Sequence, residues 1–160
     1  MSPTLEVNMP SDLELQFSRF FAAPLDLVWE VHTKGEHLAR WQGPHSVKYS
    51  KYEVDCRPGG TWDSVCTDSD GNEQRFYGEI REVEPKCRLV LTFVWDGAPN
   101  HPLINTVTFE SVDGGTRASY HSLFTDKGSR DGMVAYGMER GVKEGFEKLD
   151  VLLSSMGAAQ

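Results

Sequence analysis

The feature that most constrains this chain is a change of period after Gly128. Downstream, Ala135, Met138, Val142, Gly145, Leu149, Leu152 and Met156 recur at alternating spacings of three and four, with Phe146 and Leu153 beside them. That is one face of an amphipathic helix, and the spacing predicts a single long C-terminal helix over about 131–155. Upstream, from Val47 to Phe124, apolar residues come instead in short runs. Breakers at Pro58-Gly59-Gly60, Asp70-Gly71, Pro85, Gly97-Ala98-Pro99 and Asp113-Gly114-Gly115 leave strand candidates at 47–56, 60–67, 73–83, 88–95, 104–112 and 115–124. Asp70-Gly71 and Gly114-Gly115 are hairpin signals, so consecutive strands are expected to be antiparallel neighbours.

Another strand opens the pattern at Leu13, where Leu13, Leu15 and Phe17 alternate with Glu14, Gln16 and Ser18. Ala22-Ala23-Pro24 ends it, and Pro24 suits the start of a helix. Two short helices follow. Val28 and Val31, with His32 beside them, form the inner stripe of the first; the second, over about 35–40, leads into Trp41 and is closed by Gly43-Pro44. An antiparallel sheet of about seven strands has one apolar face that a single helix covers only if the sheet curls around it. The expected fold is therefore α+β: a curved antiparallel sheet gripping a long C-terminal helix, with two short helices after the first strand. Residues 1–12 hold Pro3 and Pro10, show no periodicity and read as a flexible tail; 13–156 read as one domain.

Charge and cysteine usage narrow the partners. The chain carries 24 acidic against 16 basic residues, a net charge of −8, which repels phosphate backbones and argues against nucleic acid. No run approaches the roughly 18–20 apolar residues of a membrane span, so membrane insertion is not expected. Met1 to Glu6 lack the basic start and apolar run of a secretory signal. Cys56, Cys66 and Cys87 form no C-x-x-C pair, and a hairpin at Pro58-Gly59-Gly60 would set Cys66 opposite a residue near position 52, not Cys56. Reduced cysteines in a cytoplasmic domain follow.

No motif announces chemistry. Asp68-x-Asp70-x-Asn72 with Glu79 mimics calcium-loop spacing, but Glu73 stands where the sharp turn needs Gly, so a hairpin tip is the better reading. His32, His37, His45, His101 and His121 contain no H-x-x-x-H pair. With no G-x-S-x-G, P-loop or G-x-G-x-x-G either, no metal, cofactor or catalytic residue is assigned.

Strand parity gives a candidate interior. In the last strand Arg117, Ser119 and His121 share the outer face, which turns Ala118, Tyr120, Ser122 and Phe124 inward. The same reasoning places Trp62, Ser64 and Cys66 inside, then Phe76, Gly78 and Ile80. Leu91, Phe93 and Trp95 follow, with Val107 and Phe109. Met138 and Val142 face them from the helix, and Trp41 closes one end. An apolar, aromatic interior with a few hydroxyls suits a small-ligand pocket and equally an ordinary core. Gly137, Gly141 and Gly145, four apart, each cost about 1 kcal/mol relative to Ala in a helix. They mark either close backbone packing against the sheet or room for a guest, with Gly141 in the cavity lining. Arg19 shares parity with Phe17 and Phe21; if inward, it needs a carboxylate partner or a place at the open end of the sheet.

Several stretches together resemble one family. They are Arg19-Phe20-Phe21-Ala22-Ala23-Pro24 with Val28-Trp29, Glu36-His37-Leu38-Ala39-Arg40-Trp41 with Gly43-Pro44, and Asp55-Cys56-Arg57-Pro58-Gly59-Gly60-Thr61-Trp62. Glu82-Val83-Glu84-Pro85, Thr106-Val107-Thr108-Phe109 and Gly145-Phe146 with Leu149-Asp150 continue the match to about Leu153. In order and spacing they are similar to the activator of heat shock protein 90 ATPase homologues of the START-like superfamily. Gly35, Gln42 and Ser122 depart from that family's usual residues. The resemblance implies a helix-grip fold with a cavity between helix and sheet, in a family whose members bind small apolar molecules or serve as co-chaperone domains. Only about a dozen residues precede Leu13, so the extra N-terminal domain of the eukaryotic co-chaperone is not expected here. The reading favoured is a non-enzymatic binding module for a small hydrophobic molecule, with a stress-related role. The alternatives are a co-chaperone-like interaction domain that meets a chaperone, and a cyclase- or hydrolase-like enzyme acting on an apolar substrate.

Overall fold

The computed structural model describes residues 4–158, so the first three residues of the expected tail lie outside the described part. In chain order the elements are β1 (Glu6–Asn8), β2 (Glu14–Phe21), α1 (Leu25–Thr33), α2 (Gly35–Trp41), β3 (Lys48–Val54) and β4 (Thr61–Thr67). Then come β5 (Glu73–Glu84), β6 (Arg88–Trp95), β7 (Leu103–Val112), β8 (Gly115–Leu123), α3 (Lys127–Ala135) and α4 (Met138–Ala158). All eight strands form one antiparallel sheet in the order β1-β2-β8-β7-β6-β5-β4-β3. The open curved sheet wraps the C-terminal helix, the helix-grip architecture expected from the pattern.

The turns work as their chemistry dictates. Gly71 and Gly114 take φ of +83° and +82° in the β4–β5 and β7–β8 hairpins. Asp68 closes the first of these: its carboxylate accepts from the amides of Asp70 and Asn72 and from Gln74 Nε2. The loop that mimicked a calcium site thus uses that carboxylate to tie its own backbone. Among the described residues no group of three or more His, Cys, Asp or Glu is placed to hold a metal ion.

Two expectations need correction. The segment read as a tail supplies β1, which pairs Val7 with Phe17 and raises the sheet to eight strands. All three β1 residues are exposed, so no hydrophobic alternation marked it. The predicted single helix is two. Gly137, at φ +94°, ends α3 and starts α4: its N–H donates to the Val134 carbonyl, while its own carbonyl accepts from Gly141 N–H. The period of three and four carries across this break because Ala135 and Met138 are three apart.

The cysteines are all free, with Cys66 buried, Cys56 half-buried and Cys87 exposed. Cys66 faces Tyr49 and not a residue near 52: the hairpin pairs Val54 with Trp62, a register that leads Cys66 to Ser50, and the slip at Ser50 moves it one residue further.

Candidate functional site

The strands alternate, with slips at Ser50 in β3 and Arg81 in β5, and the ladders align the inward residues in rows. One row runs Leu15, Ser122, Asn105, Leu91 and Ile80 across β2, β8, β7, β6 and β5; the next runs Phe17, Tyr120, Val107 and Leu89. The inward parity assigned from sequence to Trp62, Ser64, Cys66, Phe76, Phe93, Phe109, Tyr120 and Ser122 holds.

The apolar side chains behind these rows divide into three clusters. The first gathers Phe21, Val28, Val31, Trp41, Val107, Phe109 and Ala118 with Phe146, Leu149, Leu152 and Leu153 of α4; Phe17, Tyr120 and Val142 pack against it half-buried. The second is Leu15, Leu103 and Phe124, with Phe93, Met133 and Met138 against it. The third is Trp62, Ile80 and Leu89, with Phe76, Leu91 and Phe93. The expected lining therefore splits. Trp41, Trp62, Ser64, Cys66 and Phe109 are buried core, Ser122 is buried beside Asn105, and Phe76, Phe93, Tyr120, Met138 and Val142 stay half-buried, Phe93 against two clusters and the others against one. Trp95, inward at the end of β6, is 44% exposed.

Hydrogen bonding fixes most of the polar groups on this face. Trp41 and Trp62 donate their indole N–H to the carbonyls of Val31 (2.9 Å) and Thr92 (2.8 Å), and Ser64 Oγ donates to the Phe76 carbonyl. The Trp62 indole passes so close over Gly78 that a Cβ there would run into it and into the Thr92 carbonyl. Tyr52 donates to Gln42 Oε1 at 2.6 Å, and burial pushes its phenol well above the usual range.

Arg19 does point inward, and its partner comes from the far end of the chain. Its guanidinium makes two bonds to the Asp150 carboxylate, 2.7 and 2.5 Å, and lies over the rings of Phe21 and Phe146. This bidentate pair ties α4 to β2. Beside it, His32 Nδ1 is 2.7 Å from the Val28 carbonyl, which only accepts, so Nδ1 carries the proton and Nε2 is a free acceptor. Nε2 receives Tyr120 O–H at 2.6 Å. Burial lowers the His32 pKa to about 4 and raises that of the Tyr120 phenol, so both stay neutral.

The glycine face of α4 looks elsewhere than expected. A Cβ on Gly141 would touch Pro44 Cδ at 3.5 Å, and one on Gly145 would meet the carbonyl oxygens of Trp41 (2.9 Å) and Gly43 (3.3 Å). Gly141 therefore faces the α2–β3 connection and not a space over the sheet. Gly145 provides a close backbone approach, but to that connection. On the convex side of the sheet, a depression of about 390 Å³ is lined by Asp63, Arg75, Tyr77 and Glu79 with Thr92 and Val94. Arg75 and Lys51 each contact Asp63 at 3.0 Å there, so the Asp63 carboxylate is already paired.

The family model for Activator of Hsp90 ATPase homolog 1-like protein matches residues 22–154. The chain belongs to this family. Among solved structures, this family member is similar to a Rhodobacter sphaeroides protein (24% identity, TM-score 0.89), with 96% of this chain and 99% of that one covered. It is similar to a Mycobacterium smegmatis protein as well (28% identity, TM-score 0.83, 94% and 96% covered). The AHSA1 protein of Silicibacter pomeroyi shares the fold at 22% identity and a TM-score of 0.74, with 89% and 99% covered. No curated protein matches the chain. No helix described is long and apolar enough to cross a membrane.

The sequence alone assigned no interior role to Asn105, Thr116, Asp150 or, apart from its place on the α1 stripe, His32. Parity with Val107 and Phe109 was the available signal for Asn105, since i, i+2 and i+4 share a face. For Asp150 the signal was the buried cation it had to satisfy.

Proposed function

We propose that this protein binds a small apolar molecule between α4 and the concave face of the sheet, acting in the cytoplasm as a carrier or sensor and not as an enzyme. The observation that carries the reading is the division of the interior. A sealed domain of this size normally has one contiguous core. Here three clusters abut, with Phe93 packed against two of them and Tyr120, Met138 and Val142 half-buried against one each, and the polar pair Asn105–Ser122 stands on the same face. Large apolar side chains left partly open on a concave face, with a few placed polar groups, are what a small-molecule site needs.

The state of the titratable groups supports binding over catalysis. A general base works best with a pKa near the operating pH. The buried imidazole sits near 4 and its free lone pair is engaged by Tyr120, so the pair holds its proton. Arg19 and Asp150 neutralise each other.

The test is native mass spectrometry of protein from its own host, together with titration by phenylnaphthylamine, an apolar fluorescent probe. The expected result is a retained adduct above the 18.0 kDa chain and probe uptake that the adduct blocks. A bare 18.0 kDa species that takes up no probe would reject the reading and favour the co-chaperone-like interaction role.

A further inference from the structure

We propose that the carboxamide of Asn105 is the polar anchor of this interior, and that the ligand is a neutral apolar molecule bearing a carbonyl-type hydrogen-bond acceptor. This rests on the binding reading above and names the ligand class. Asn105 sits mid-strand in β7, opposite Ser122 on β8 and Leu91 on β6. Ser122 Oγ donates to Asn105 Oδ1 at 2.7 Å, which fixes the amide plane and turns the Nδ2 donors away from the pair. Nδ2 has no partner among the described residues, yet it is not sealed from solvent.

Its neighbours are otherwise engaged. Of the polar side chains that β2, β7 and β8 turn inward, Arg19 binds Asp150, Thr116 binds the Ala23 carbonyl, Tyr120 binds His32 and Ser122 binds Asn105. Apart from the remaining guanidinium N–H groups of Arg19 and the hydroxyl of Ser111, exposed near the end of β7, the Asn105 N–H groups are the donor capacity left among the described residues. They lie between Leu103 and Val107 on β7, at the meeting of the three apolar clusters. A guest without an acceptor would bury these N–H groups unpaired, which disfavours it. A carboxylate would be desolvated with no cation free to receive it, since Arg19 is the one charged residue on those three inward rows and is already paired. A ketone, aldehyde or ester oxygen satisfies the donors without that penalty.

The test uses three probes of similar size: prodan, a neutral naphthalene ketone whose emission moves to the red when its carbonyl accepts a hydrogen bond; phenylnaphthylamine, which has no carbonyl; and naphthoate. Wild-type protein is expected to bind prodan with hydrogen-bonded emission and naphthoate at least about tenfold more weakly. Asn105→Leu should weaken prodan by about five- to tenfold and shift its emission to the blue, while phenylnaphthylamine, relieved of the unpaired N–H groups, should bind at least as tightly as to wild type. Asn105→Asp keeps the acceptor for Ser122 but has no N–H, so it should lose prodan in the same way. It serves if the leucine variant does not fold. Prodan affinity and emission unchanged in a folded variant, or naphthoate bound as tightly as prodan, overturns the anchor while the apolar-binding reading stands. Aprotic emission of prodan on wild type overturns it without any variant. Failure of every probe on wild type overturns the binding reading itself.

Discussion

Two glycines one turn apart on α4 are expected to respond to the same substitution with opposite signs. Alanine in a helix interior is favoured over glycine by about 1 kcal/mol at either place. At Gly141 the new Cβ would lie 3.5 Å from Pro44 Cδ, an ordinary contact, so Gly141→Ala should stabilise by about 0.5–1 kcal/mol. At Gly145 the same atom would lie 2.9 Å from the Trp41 carbonyl oxygen and 3.3 Å from that of Gly43. Those oxygens cannot swing aside like a side chain, and Lys148 Nζ holds the same connection through the carbonyls of Gln42 and Pro44. Overpacking there costs about 1–3 kcal/mol. Set against the helix gain, Gly145→Ala should come out destabilised by up to about 2 kcal/mol. The helix gain is common to both, so the two variants differ by the overpacking cost, about 1–3 kcal/mol, or roughly 2–12 °C in Tm for a domain of this size. Urea unfolding followed by circular dichroism measures this, provided the slope m is unchanged. If Gly145→Ala proved as stable as Gly141→Ala, the close packing of α4 on the α2–β3 connection would be refuted.

Other expectations follow from the buried polar groups. Asp150→Ala leaves the Arg19 guanidinium, whose side chain is 5% exposed, without its partner, and should cost about 2–3 kcal/mol because Asp150 itself is partly solvated. Adding Arg19→Met should restore most of that loss, and an additive double variant would contradict the pairing. Tyr120→Phe strips the donor from His32 Nε2 and should cost about 1–3 kcal/mol in denaturant unfolding. The His32 pKa is depressed in the folded state, to about 4 from 6.5, so its contribution is complete above pH 6.5 and is lost as pH falls towards 4. Denaturation curves between pH 7 and 4 should show a fall of about 3 kcal/mol from this group, and His32→Gln should flatten it; an unchanged slope would mean that His32 is not buried neutral. Gly137→Ala should cost about 1–2 kcal/mol, from the left-handed backbone alone.

The strands were legible because each ends at chemistry that only turns tolerate, as at Asp70-Gly71 and Gly114-Gly115, and because inward and outward residues alternate without a slip in β7 and β8. What escaped was whatever leaves hydrophobic periodicity untouched. β1 buries nothing, and Gly137 breaks the helix at a point where the spacing of apolar residues continues across it. Parity gave the facing of the candidate interior but not its depth. Nothing local separates Trp62, whose indole N–H is engaged by a carbonyl 30 residues away, from Phe93, which stays half-open. The Arg19–Asp150 pair spans 131 residues, so the sequence stated the need for a carboxylate without saying which one would meet it.

The central claim is that an apolar molecule enters between α4 and the sheet, and the methionine methyl groups report on it directly. Met133 and Met138 pack beside Phe93 and Leu103 at the meeting of the clusters, Met156 packs at the opposite end of α4, and Met9 is exposed near β1. In methyl-labelled protein titrated with prodan, the account predicts saturable shifts of Met138 and Met133, with Met9 and Met156 unmoved. Shifts confined to Met9, or none at saturating probe, would contradict it.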